Sequence, residues 1–188
     1  MDILDSNEMD EITEKIWLGN MYSSTHIINL NKHGIKKILS LIDSPAKINN
    51  DIENNIIRKI IKISDFPKKN IIKYFGDCLN FIDGEEKTLV HCKIGSSTSA
   101  TIVIAYIMWK LRMKYEEAHN FVKNKRKIAE PNKGFKEQLK IFQSLLIKND
   151  YNLENIDFNN LEKFHKSIEF EWQKLDINYI YNCFYKIK

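Results

Sequence analysis

The segment Val90-His91-Cys92-Lys93-Ile94-Gly95-Ser96-Ser97-Thr98-Ser99 sets one cysteine between a short apolar run and a long one. A strand before Cys92 and a helix after it would turn the backbone N–H groups of a tight loop toward one point. The helix N-terminus adds positive potential there. Such a point holds an anion, and the same field lowers a cysteine pKa and favours the nucleophilic thiolate. Gly95 permits the curvature, and Ser96, Ser97 and Ser99 are small enough to leave the mouth open. The chemistry this serves is attack of Cys92 on a phosphoryl group, with a phosphocysteine formed on the way. A buried, inert cysteine at a strand end is the other reading the spacing permits.

Other reactive side chains form no second constellation. Asp65 ends the run Ile60-Ile61-Lys62-Ile63-Ser64, a position equally suited to a turn or cap residue. Cys78 falls on the apolar face of a helical pattern and reads as core, with a redox partnership to Cys92 as the alternative. His91 reads as a residue that orients the loop by hydrogen bonding. His26, His33, His119 and His165 share no pattern. The cysteines Cys78, Cys92 and Cys183 lie far apart with no CxxC or zinc spacing, so neither metal nor cofactor is expected.

The elements that must position these groups follow from periodicity. Ile12–Leu18, Ile35–Leu41, Ile56–Ile63 and Thr88–His91 read as strands. Asn70–Asp83 carries Ile71, Ile72, Phe75, Cys78, Leu79 and Ile82 on one helical face, with Gly84 as a stop. A helix over Ser99–Arg112 is apolar nearly all round and therefore central. Tyr115–Lys125 and Gly134–Ile147 are amphipathic helices, with Asn132 placed as the N-cap of the second. Strands alternating with helices predict an α/β layered fold, a mixed sheet with helices on both faces.

The sequence divides into a domain over 1–148 and an extension over 149–188. In the extension Phe158, Leu161, Phe164, Ile168, Trp172 and Leu175 recur at helical steps. This aromatic stripe is expected to pack on the domain, with a partner-binding helix as the alternative. The chain has 188 residues, 43% hydrophobic and 29% charged, and a net charge of +4. That fits one domain with a sizeable core. The charge allows an anionic substrate without calling for nucleic acid. Lys123-Asn124-Lys125-Arg126-Lys127 reads as a solvated helix end, with a nuclear or nucleic-acid patch as the lesser reading. The acidic start lacks a signal peptide's basic region, and no apolar run is long enough for a bilayer. Cytoplasmic location is expected, in a reducing compartment, with the nucleus open as well.

The Cys92 segment resembles the signature of the protein-tyrosine phosphatase superfamily: His-Cys, five residues, Arg, then Ser or Thr. His91, Cys92, Gly95 and Ser99 fall on matching positions. Ala105-Tyr106-Ile107-Met108, Ala118, Val122, Pro131-Asn132, Gly134-Phe135 and Gln138-Leu139 are similar to the small dual-specificity branch, as is Ile16-Trp17-Leu18-Gly19. The likeness spans roughly residues 10 to 147. It implies a dual-specificity phosphatase fold, Cys92 as nucleophile and Asp65 as general acid. Ser99 joins them in the site, and His91, Lys93, Ile94, Gly95, Ser96, Ser97 and Thr98 form the phosphate loop. A phosphorylated protein is the implied substrate or partner.

The departure is Thr98, where the family has arginine. A guanidinium fork binds two phosphoryl oxygens and carries a fixed charge. By analogy with arginine fingers its loss costs on the order of 10³ to 10⁵ in rate. Lys93 is the nearest candidate for partial compensation. Arg58, Arg112 and Arg126, the only arginines in the chain, are expected to point elsewhere. Two functions therefore stand: a phosphatase with strongly reduced activity, or a pseudophosphatase that binds a phosphorylated partner without turnover. A third, interaction through the C-terminal helix alone, leaves the site idle.

Overall fold

A computed structural model of the chain describes residues 8–43, 55–158 and 160–161. Five strands are present: β1 (Met9–Thr13), β2 (Ile16–Gly19), β3 (Lys37–Ile42), β4 (Ile57–Lys62) and β5 (Thr88–His91). Five α-helices accompany them: α1 (Ile27–His33), α2 (Phe75–Ile82), α3 (Thr98–Lys110), α4 (Tyr115–Lys125) and α5 (Lys133–Lys148). The sheet order is β1-β2-β5-β3-β4, with β1 antiparallel and the rest parallel. The sheet is thus mixed, as expected. β5 is its central strand, so Cys92 leaves the middle of the sheet at a carboxyl end, where open α/β sheets bind ligands.

Strand alternation sends side chains to two cores. Ile16, Leu18, Leu39, Leu41, Ile61 and Val90 face α2–α5 and join the larger core. Trp17, Ile38 and Leu89 face the other way and meet Met9, Leu30 and Ile35 under α1. α3 is buried at every position from Thr98 to Met108, which is why its sequence is apolar all round. Each aliphatic side chain buried there contributes about 1.5–3 kcal/mol. The helix is consequently a fixed post, and its first turn is held as firmly as its middle.

Three expectations change. Ile12–Leu18 is not one strand: it breaks at Glu14-Lys15, where Thr13 Oγ1 accepts from the Ile16 N–H at 3.1 Å and closes a hairpin. The Asn70–Asp83 helix begins with a 3-10 turn, Ile72–Tyr74, before α2 proper. α1 was not anticipated. Only Leu30 of its seven residues is buried, too little apolar periodicity to read, and Gly34 ends it with φ +69°.

The chain after α5 turns back onto the domain. Trp109 Nε1 donates to the Tyr151 carbonyl at 2.9 Å, and Leu153, Ile156 and Leu161 are buried. Phe158 lies 6.3 Å from Phe142, ring to ring. Phe164, Ile168, Trp172 and Leu175 of the expected stripe lie outside the described residues, as does Cys183. Among the described residues no helix is long and apolar enough to cross a membrane.

Candidate active site

β5 delivers His91 and Cys92, and α3 receives the chain at Thr98. The five residues between them form a loop closed around the sulfur. Cys92 Sγ accepts from the Gly95 N–H at 3.1 Å and from the Ser99 hydroxyl at 3.1 Å. Two donors from the loop and the first turn of α3 thus converge on one sulfur. Gly95 has φ +80°, and a Cβ there would stand 2.4 Å from the Gly19 carbonyl oxygen. Both the backbone sign and the close approach to β2 therefore require glycine.

His91 supports the loop from beneath. Its Nδ1 lies 3.2 Å from the Cys92 carbonyl, which can only accept, so Nδ1 carries the proton. Nε2 then accepts from the Ser40 hydroxyl at 2.7 Å. Burial pushes the imidazole pKa down to about 4, the hydrogen bond to the Cys92 carbonyl opposes that, and the Arg58 charge adds to it. His91 is neutral and acts as a brace, as its sequence position suggested. The Arg58 guanidinium itself donates to the Ser24 carbonyl at 3.1 Å.

Arg126 corrects the sequence reading. It is 3% exposed, not part of a solvated helix end. From the end of α4 its Nε donates to the Gly95 carbonyl at 2.8 Å and an Nη to the Ile94 carbonyl at 3.2 Å. Its other Nη pairs with Asp10 at 2.6 Å. The arginine thus holds the Gly95 and Ile94 carbonyls, while the Gly95 N–H on the other side of the same peptide chain is directed at the Cys92 sulfur. A sequence shows the run of charges but not which one turns inward.

Asp65 stands at the same bowl. Its Oδ1 accepts from the Ser97 hydroxyl and from Asn132 Nδ2, each at 2.7 Å. Ser97 Oγ in turn accepts from the Asn132 N–H at 3.0 Å. Asn132 caps α5 by accepting from the Phe135 N–H at 3.0 Å, as expected. Two residues on, a Cβ at Gly134 would stand 1.9 Å from the Pro67 carbonyl oxygen, so α5 seats directly against the loop that carries Asp65. Ser97 was foreseen only as a small loop residue and Asn132 only as a cap. Their contact with Asp65 joins segments too distant in sequence to be read together.

The bowl is a cavity of about 170 Å³ whose lining includes Met21, Asp65, Cys92, Lys93, Ser96 and Thr98. Thr98 is 2% exposed and offers the bowl a neutral side chain. Lys93 is exposed and lies at the rim. Ile94 is exposed too, with its carbonyl bound by Arg126. None of the three arginines lines the cavity. Arg112 pairs with Asp150 on the far side of the domain. Cys78 is buried, and burial followed by the nearby Asp77 charge pushes its thiol up to about 12. That is an inert core cysteine. No group of three or more His, Cys, Asp or Glu among the described residues is arranged to hold a metal ion.

The strand–cysteine–loop–helix unit closes two donors around one thiol, and comparison with known proteins says which family builds it. Residues 16–144 match the family described as dual specificity phosphatase, catalytic domain. The dual specificity protein phosphatase MPK-4 of Drosophila melanogaster is 32% identical over 157 residues, covering 81% of this chain and 41% of that protein. Dual specificity protein phosphatase 15 of Mus musculus is 36% identical over 140 residues, 72% of this chain and 58% of that one. The chain thus spans less than two thirds of the length of both relatives. The crystal structure of DUSP15 superposes with a TM-score of 0.69 at 29% identity, covering 80% of this chain and 97% of that one. The human tyrosine phosphatase-like serine/threonine/tyrosine-interacting protein gives 0.65 at 34% identity, covering 74% and 97%. The chain belongs to the dual-specificity phosphatase family, of which it carries the catalytic domain.

Proposed function

We propose that the chain is a cysteine-dependent protein phosphatase slowed by Thr98, which stands where the phosphate loop of the family has an arginine. The observation that carries this is the pair of donors on Cys92 Sγ, Gly95 N–H and Ser99 Oγ, opposite Asp65 across one small cavity. The Cys92 thiolate attacks phosphorus, the bond from phosphorus to the substrate oxygen breaks, and Asp65 gives that oxygen a proton. Asp65, now a carboxylate, takes a proton from water as the water attacks phosphorus. The S–P bond breaks, inorganic phosphate leaves, and the Ser99 hydroxyl steadies the returning thiolate. Loop amides stabilise the equatorial oxygens throughout. A phosphorylated protein is the substrate, at tyrosine, serine or threonine.

Thr98 limits the rate. The transferring phosphoryl group spreads negative charge that a neutral hydroxyl cannot match, and this costs roughly 4–7 kcal/mol of barrier. The same observation favours a second reading, a pseudophosphatase that holds a phosphorylated partner without turning it over. A steady-state assay on an aryl phosphate, with Cys92→Ser as blank, separates the two. Cys92-dependent turnover supports the enzyme. Phosphopeptide binding with turnover no greater than the blank supports the binding module.

A further inference from the structure

We propose that Lys93 is a catalytic residue of this chain: its ammonium group folds into the bowl and binds the phosphoryl oxygens that Thr98 leaves without a cation. This rests on the phosphatase reading of the bowl. Of the lysines and arginines among the described residues, Lys93 alone lines the cavity that holds Cys92, Asp65 and Thr98.

The root of this side chain is fixed and its end is free. Lys93 follows the nucleophile directly, and its carbonyl accepts from the Met21 N–H at 3.3 Å, which ties its backbone to the segment after β2. The side chain is exposed and makes no hydrogen bond or ion pair among the described residues. Other lysines are committed: Lys59 to Asp77, Lys110 to Asp83, Lys123 and Lys136 to Glu130. Two carboxylates share the bowl with Lys93, those of Asp43 and Asp65. Asp65 is already held by Ser97 and Asn132, and neither carboxylate pairs with Lys93. When Asp65 carries the proton it is to donate, Lys93 and Asp43 cancel. Without Lys93 the wall would meet an incoming phosphate ester, about −1.5 to −2 at neutral pH, with a net negative charge.

A lysine can do part of an arginine's work here. During transfer the negative charge spreads over the equatorial oxygens, and catalysis lies in positioning and neutralising it. An ammonium group is a point charge on a flexible four-carbon stem, so it contacts these oxygens singly and not as a planar fork. Holding the stem in one rotamer also costs conformational entropy. Lys93 therefore recovers a fraction of the missing stabilisation, which leaves the reaction slow but not absent. It stays protonated throughout and moves no proton; Asp65 alone exchanges protons with the leaving oxygen and the water.

The test is a double-mutant cycle on the full chain: unaltered, K93Q, T98R and the two together. The readout is kcat/KM on an aryl phosphate, with Cys92→Ser as blank. K93Q lowers kcat/KM of the unaltered chain by about tenfold or more, and K93R restores most of the loss. In the T98R background a guanidinium carries the charge, and the same K93Q change costs less than about threefold. A lysine that only shapes the rim of the loop costs the same in both backgrounds, and that result overturns the proposal. K93Q without effect on the unaltered chain overturns it as well. A tungstate titration, which needs no turnover, keeps the two failures apart. Turnover by the unaltered chain no greater than the blank ends the phosphatase reading, and tungstate then judges Lys93 alone. Affinity about tenfold weaker in K93Q supports Lys93 as the cation that meets the oxyanion, and equal affinity overturns it.

Discussion

Arg126 Nε donates to the carbonyl of Gly95 at 2.8 Å, across 31 positions of sequence. This bond ties the end of α4 to the curve of the phosphate loop, and the Asp10 carboxylate holds the arginine in place from β1. Three segments thereby fix the direction of the loop's peptide dipoles. The guanidinium charge contributes at second hand, by orienting amides and not by touching the anion. Arg126→Met keeps the apolar stem and removes the donors. It should cost about 3 kcal/mol of stability, since it breaks a buried ion pair and leaves two loop carbonyls without this donor. Affinity for tungstate should fall with it. Denaturant midpoints and an oxyanion titration measure the two effects, and an unchanged tungstate affinity in a folded variant would remove Arg126 from loop positioning.

Thr98→Arg tests the reading of the slow step. The side chain opens α3 and lines the bowl, so a guanidinium has the cavity of about 170 Å³ to grow into. Turnover of an aryl phosphate should rise about 10³-fold or more. Brisk turnover by the unaltered chain would show that another cation, with Lys93 first in line, already does this work. A folded but idle Thr98→Arg protein would favour the binding module.

Asp65→Asn should separate substrates by leaving group. Esters that need their oxygen protonated should slow by about 10² to 10⁴, while activated aryl esters slow far less. Ser97→Ala removes one of the two donors on Asp65 Oδ1 and should give a milder version of the same phenotype. Equal slowing of all esters by Asp65→Asn would argue against proton transfer by this group.

His91 makes stability depend on pH. Its folded pKa of about 4 lies below the ordinary 6.5, so between those values the unfolded chain binds the extra proton. The contribution is complete above about pH 6.5 and is lost as pH falls toward 4. The full loss is about 3 kcal/mol. His91→Asn should flatten that part of the stability curve, as read by chemical denaturation from pH 7 to 4. An equally steep curve in the variant would place the titration elsewhere.

Phe158 should bear on stability. Its ring packs on Phe142 and covers Gly76, where a Cβ would stand 2.7 Å from the ring. Phe158→Ala should lower the unfolding free energy by about 2 kcal/mol, less than for a fully buried phenylalanine. A melting temperature that does not move would show that the segment after α5 adds nothing to the fold.

Much of this architecture was legible because its signals are local. The apolar run of α3, the buried β5 and the small residues between them form one continuous stretch from Thr88 to Lys110. The illegible parts depend on distance or on slender patterns. α1 has a single buried side chain, so no periodicity announces it. The β1–β2 hairpin hides in what reads as one strand because Glu14-Lys15 carries no Gly, Pro or Asn to mark a turn. Arg126 sits in a basic run whose other members face water. Only the fold reveals that this one is buried, because its partners Asp10 and Gly95 come from elsewhere in the chain.

Asn132 uses both ends of one amide. Its oxygen receives the Phe135 N–H and so completes the first turn of α5, while its nitrogen holds Asp65. Release of Asp65 frees half of that amide, and rotation of the amide uncaps the helix. The Phe135 backbone proton is therefore an internal clock for the acid. Its exchange with deuterium should slow when an oxyanion fills the bowl and quicken in Asp65→Asn, so a residue that never meets the substrate reports how long the acid stays at its post.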